Sequence, residues 1–257
     1  MKKSRKKKWK WTSLAIFISD NSAVMCEVLR ACMNGYFKNY HTLRAVKTVL
    51  IVASNPNASS IKKALEMGFP EENIVVINPE KFGCPEAFGK KILCECGKRK
   101  VDIILSLRFK PIIPTNVIDA YQSMIFGLHA APLDGKRPGF RGKGMYGLAL
   151  QHAVLHFSKS VARFKMTEVC IHRVTEKVGC GAVVGKRLVE IWPTDTARTL
   201  AARLLPFAQN LVVEILLLLS EFGYLKELRH RTWLIHSKEK MPLKRAKAAG
   251  RRVFPNG

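Results

Sequence analysis

One histidine stands where chemistry is commonly done. In IFGLHAAPLDGKRPG, residues 125–139, a short apolar run ends in His129 and opens at once into a loop of prolines, glycines and cations. An imidazole at the carboxyl end of a buried strand can exchange a proton with a ligand, because open α/β sheets bind ligands at that edge. Other candidates are weaker. His152 and His156 stand one helical turn apart in HAVLH, a spacing that two metal ligands could use, but no third ligand is apparent. A packed or surface pair is the favoured reading. Cys94 and Cys96 form a lone CxC without a second unit, so no metal is expected. Cys180 reads as a small packing residue rather than a nucleophile. GFRGKGMYG, residues 139–147, sets glycines and two cations at a turn into a helix, which suits an anion or a flexible loop equally.

The elements that must hold His129 alternate between two periods. SLAIFIS (13–19), KTVLIVAS (47–54), NIVVI (73–77), VDIILSL (101–107) and MIFGL (124–128) are continuous apolar runs, and helical patterns over 21–33, 58–67 and 85–96 separate the first four. Runs apolar on both faces and spaced by helices predict a parallel sheet covered on both sides. A helix over 145–157 follows the His129 loop. EVCIHRV (168–174) and AVVGKRLVEI (182–191) lack a long helix between them, so they should pair antiparallel. TDTARTLAARLLPFAQNLVVEILLLL then predicts a long closing helix, with Thr194 or Asp195 as N-cap and a kink at Pro206. The fold class is α/β: a doubly wound, mainly parallel sheet with a C-terminal β-hairpin and a long helix.

The 257 residues suffice for one sizeable domain. Three segments are expected: a basic N-terminal arm over 1–12, a folded domain over 13–222 and a basic C-terminal tail over 223–257. Forty-four Lys+Arg against nineteen Asp+Glu leave a formal charge of +25. Both ends concentrate it, as solvated and partly disordered segments or as docking surfaces for RNA or a ribosome. Trp9 and Trp11 among the lysines could stack on bases or staple the arm to the domain. LAIFI is too short for the apolar region of an export signal, and LVVEILLLL, split by Glu214, reads as a buried helix; no membrane partner is expected. Seven scattered cysteines suit a reducing, cytoplasmic setting.

The order of elements, with GLHAAPL followed by RPG, resembles the formyltransferase family, which includes the glycinamide ribonucleotide and methionyl-tRNA enzymes. The resemblance covers residues 14–219. It implies a Rossmann-like formyltransferase fold, 10-formyltetrahydrofolate as co-substrate and a small phosphorylated amine as acceptor. His129 matches the catalytic histidine of that family. Ser19, Asp20, Asn21 and Ser22 stand where the family has a glycine-rich first turn, and Ser54 and Asn55 match the pair bordering the substrate phosphate. Leu107, Arg108, Phe109, Lys110, Pro111, Ile112 and Ile113 match the loop lining the folate pocket, and Arg137 lies in the loop beyond the histidine.

Two positions depart from the family pattern. The catalytic Asn two residues before the histidine is Gly127 here, and the catalytic Asp seven residues after the hairpin His172 is Gly179. Losing an oxyanion donor typically costs about 10²–10³ in rate, and losing acid–base help about 10²–10⁴. Asp134 and Glu176 are the carboxylates nearest in sequence that could substitute. The resemblance therefore implies an impaired phosphoribosylglycinamide-type formyltransferase, or a catalytically inactive protein of that fold that binds RNA or a ribosome through its basic surface.

Overall fold

The first five apolar runs become five parallel strands, and the two that follow close the sheet antiparallel. The computed structural model describes residues 10–39, 44–133, 139–228 and 234–255. In chain order the elements are β1 (Lys10–Ile18), α1 (Ala23–Met33), α2 (Tyr36–Asn39), β2 (Arg44–Ala53), α3 (Ser59–Glu66), β3 (Ile74–Val76), α4 (Pro85–Lys98), β4 (Ile103–Ser106), α5 (Thr115–Tyr121) and β5 (Ile125–His129). Then come α6 (Gly147–Ser160), β6 (Met166–Arg173), β7 (Val183–Glu190), α7 (Ala197–Phe222) and α8 (Lys240–Val253). The sheet order is β3-β2-β1-β4-β5-β6-β7, parallel through β5 and antiparallel for β5–β6 and β6–β7.

Burial on both faces explains the apolar runs. Leu14, Ala15, Ile16, Phe17 and Ile18 of β1 all lose their whole accessible surface. Alternate residues serve opposite cores, as the two-residue period of a strand requires. Ile16 and Phe126 pack in the core beneath α1, α6 and α7, while Phe17, Ile104 and Ile125 pack with Phe88, Ile92 and Val117 of α4 and α5. The apolar stretch read as a buried helix is one: Leu211, Val212, Ile215, Leu216 and Leu219 of α7 are all core residues.

Several details differ from the sequence reading. The N-cap of α7 is Thr196, neither Thr194 nor Asp195; its hydroxyl accepts from Thr199 N–H. Asp195 instead accepts from Trp192 N–H at 2.8 Å and pairs with Arg203 at 2.5 Å, clasping the helix start to the preceding turn. α5 had no counterpart in the reading, since seven residues behind Pro114 carry too little periodicity to register. β1 begins at Lys10, inside the segment read as an arm. The rest of that arm, residues 1–9 with Trp9, lies outside the described residues.

The expected C-terminal tail contains α8, docked on α6. Leu243, Ala246, Ala249 and Gly250 form its buried face. Gly250 makes the close approach possible: the carbonyl of Ala149 stands where its Cβ would be, with Ala153 Cβ 3.2 Å away. At its start, Arg163 Nε reaches Glu239 Oε1 at 2.9 Å, and His236 N–H reaches Glu239 Oε2 at 2.7 Å. Gly250→Val should therefore lift α8 and destabilise the protein by about 1–3 kcal/mol. Chemical denaturation checks this, and a midpoint unchanged from wild type would show that α8 does not dock through Gly250.

Candidate active site

The strand order reverses between β1 and β4, and the carboxyl ends of β1, β4 and β5 form the ligand-facing edge of such a sheet. Two backbone bonds draw the loops at this edge together: Ser54 N–H to Ile18 O and Leu107 N–H to Phe17 O, both 2.9 Å. The turn after β1 is closed by its own polar groups. Ser19 Oγ and Ser54 Oγ are hydrogen-bonded at 2.6 Å, and Lys110 N–H donates to Ser19 Oγ at 2.8 Å. Lys110 Nζ pairs with Asp20 at 2.8 Å, and Lys63 donates to Asn21 at 2.9 Å. Ser60 Oγ receives Ser22 N–H at 2.7 Å and donates to Asp20 O at 2.6 Å. Asn55 Oδ1 accepts from Asn57 N–H in a local turn. The structure thus brings Ser19, Asp20, Asn21, Ser22 and Ser54 together with Lys110, in a network that largely satisfies itself.

The loop at residues 107–113 divides between core and surface. Leu107 and Ile113 are buried in the two cores, and the Phe109 ring lies 5.2 Å from that of Phe17. Arg108, in the left-handed region at φ 63°, Lys110 and Ile112 face outward, and Pro111 is half-buried. Arg137 and Asp134 lie outside the described residues.

His129 is the last residue of β5, at the carboxyl edge. The residue keeps some exposed surface, but its Nε2 is buried and has no hydrogen-bond partner. Burial, then the neighbouring His172, pulls its pKa down to about 3, against a favourable ring contact with the Phe140 backbone; the positive field of Lys247 adds a smaller push. The imidazole is therefore neutral at physiological pH, and burial opposes its taking up a proton there.

Gly127 is not an empty position. Its partner across β5–β6 is His172, and a Cβ on residue 127 would stand 2.9 Å from His172 Nε2 and 3.2 Å from Cε1. The His172 ring occupies the room that a side chain at 127 would need. Its Nδ1 bonds Arg173 O at 2.8 Å; a carbonyl can only accept, so Nδ1 carries the hydrogen and Nε2 a lone pair. Burial also holds this histidine below its ordinary range. The pair presents two neutral nitrogens but no carboxamide donor.

Gly179 is filled in the same sense. It sits at φ 67°, and a Cβ there would stand 2.8 Å from Arg141 Cβ and 3.2 Å from Leu133 Cδ1. The aliphatic stem of Arg141 thus fills the place where the expected side chain would begin. Glu176 is exposed on the β6–β7 turn, with no described contact to His129. Sequence reasoning passed over another carboxylate, Glu168, 2% exposed and accepting Leu133 N–H at 3.4 Å. It shares a face of β6 with Cys170, opposite His129, and with His172; the two-residue period could have revealed it. His152 packs edge-on against Phe254, and no group of three ligating side chains occurs among the described residues.

The open α/β sheet with its added antiparallel hairpin is shared with solved structures of low sequence identity. Glycinamide ribonucleotide transformylase 1 from Symbiobacterium toebii superimposes with a TM-score of 0.70 at 17% identity, covering 85% of this chain and 95% of that one. The chain belongs to the formyl transferase family, whose model matches residues 12–216. It is 30% identical to the chloroplastic phosphoribosylglycinamide formyltransferase of Vigna unguiculata over 81% of its length, and 27% identical to that of Arabidopsis thaliana over 79%. It spans 61% and 63% of those two relatives.

Two outcomes are expected from this geometry. Gly127→Asn alone should destabilise the protein by about 1–3 kcal/mol through overpacking, and His172→Ser in the same chain should recover part of that loss. Additive effects of the two changes in denaturant melts would mean that residue 127 and the ring do not compete for space. The second concerns acid. Histidines in the unfolded chain protonate near pH 6.5, whereas the folded His129 holds out to about 3. Stability should be full above pH 6.5 and fall as pH drops towards 3, because the unfolded state then binds more protons. Thermal melts between pH 7 and 4 should fall less steeply for His129→Gln than for wild type; equal slopes would refute the buried neutral imidazole.

Proposed function

We propose that this chain transfers a formyl group from 10-formyltetrahydrofolate to the amine of a small phosphorylated acceptor of the phosphoribosylglycinamide type, more slowly than a site with its full set of partners. The observation that carries this reading is His129: a neutral imidazole with an unpartnered Nε2 at the carboxyl edge of a formyl transferase sheet. The names of the Vigna and Arabidopsis relatives support the acceptor class over the inactive, RNA-binding alternative.

In the proposed step the acceptor nitrogen attacks the formyl carbon, and its bond to the folate nitrogen breaks as that nitrogen takes up a proton. His129 Nε2 accepts a hydrogen bond from the attacking amine and orients it. The released proton leaves to solvent, since burial makes this imidazole too weak a base to keep it. The oxyanion formed in between lacks a carboxamide from residue 127, and His172 Nε2 offers a lone pair rather than a hydrogen. One missing donor of this kind costs about 10²–10³ in rate. Since Asp20 is engaged by Lys110, an acceptor phosphate at the first turn must displace that pair or bind elsewhere.

The test is single-turnover formyl transfer to glycinamide ribonucleotide, with folate binding followed by calorimetry. Wild type should bind the folate and transfer below the common enzyme range of about 1–10³ s⁻¹. His129→Ala should bind comparably and lose transfer by about 10²-fold or more. Transfer unaffected by that change would remove His129 from the mechanism, and no folate binding by wild type would return the inactive alternative.

A further inference from the structure

Outside the strand-end site, a strongly cationic cleft lies between the loop after His129 and α8. Its volume is about 430 Å³. Five of its lining residues are cations, Arg141, Lys240, Lys244, Lys247 and Arg251; the others are two glycines and Leu243, and none is acidic. The four on α8 follow spacings of four, three and four, which align them along one face of the helix. Like charges at such spacing repel and weaken a helix. Here the opposite face of α8, seated on α6 through Ala246, Ala249 and Gly250, holds the row in place.

Lys247 is the inner member. It is half-buried, and its ammonium donates to Gly139 O at 3.3 Å. Its pKa is lowered, first by burial and then by the charges of Arg251 and Arg141. The nearby acid, Glu239, is held by Arg163 and the His236 N–H on the far side of the helix start. Among the described residues no carboxylate lines the cleft beside the four charges of α8, which favours an anion there.

Shape narrows the class of anion. The volume lies in the range of small-molecule pockets, about 300–1,000 Å³. The Arg251 guanidinium and the three ammonium groups of α8 match the many oxygens of a compact polyphosphate better than a single carboxylate. The α8 cations lie beyond residues 12–216, outside the segment matched to the family. We propose that this cleft is a binding site for a compact, multiply charged, phosphate-bearing small molecule. The site does not depend on formyl transfer. It adjoins the candidate active site, because Arg141 packs on Gly179.

Calorimetric titration of the full chain with inorganic tripolyphosphate and with ATP, at about 0.15 M salt, tests the proposal. Saturable one-to-one binding of either supports it; comparable affinities would show that phosphates alone are read, and tighter ATP binding that the nucleoside adds contacts. Lys240→Gln with Lys244→Gln, both exposed, should weaken binding about tenfold or more. Arg245→Gln with Arg252→Gln, also exposed, removes the same charge from α8 outside the cleft and should change affinity less than about twofold, as screening at this salt predicts. Equal weakening by the two pairs would overturn the proposal, because net charge and not the cleft would then govern binding. So would an oligo(U) RNA that binds one-to-one while tripolyphosphate neither binds nor displaces it, a result that would assign the face to nucleic acid.

Discussion

Residue 127 and the ring of His172 compete for one volume, and much of the site follows from who holds it. The antiparallel register of β5 and β6 sets Gly127 opposite His172, so the histidine fills the space a side chain would claim. The ring is fixed by Nδ1 on Arg173 O. Arg173 in turn lies 5.5 Å over the Phe126 ring and donates to Leu225 O at 2.9 Å, tying β6 to β5 and to the segment after α7. Glycine at 127 is therefore one half of a packed pair, and exchanging it alone disturbs the hairpin before it alters any chemistry.

The second departure sets the stem of an arginine against the backbone. Gly179 adopts a left-handed backbone that glycine reaches without strain, and Arg141 lies against it. With Lys247 also acting on His129, the cations here favour neutral imidazoles and anionic ligands. Two nitrogens that stay neutral can accept hydrogen bonds from an amine, but they contribute little to holding an oxyanion. The geometry supports orienting the amine better than stabilising transition-state charge, which is commonly the larger contribution.

The sheet was legible because its strands are buried on both faces: a run such as LAIFI, residues 14–18, has no other stable place in a globular fold. His129 was legible because the sheet implies its own ligand edge. What escaped depends on contacts distant in sequence. That His172 fills the room of residue 127 follows from a strand register 45 positions away, and that Arg141 backs Gly179 follows from a loop crossing the hairpin. The cationic tail read as solvated because its charges are conspicuous. Its docking face of Leu243, Ala246, Ala249 and Gly250 is narrow and made mostly of small residues, which carry a weak apolar signal.

Those small residues set the charge beside the His129 loop apart from that of the first turn. At the β1–α1 turn, serines and an aspartate replace backbone cradling with side chains that bond one another, so the positive Lys110 is spent on Asp20. On α8 the reverse holds: the buried face is shaved to alanine and glycine, the helix axis comes close to α6, and the cations on its other face stand beside the His129 loop uncompensated by any lining carboxylate. A bulkier residue at 250 would raise the helix off α6 and carry the charges away from Arg141. Close packing on one side of α8 thus sets the electrostatics on the other, and Lys247 adds a small push to the burial that keeps His129 neutral.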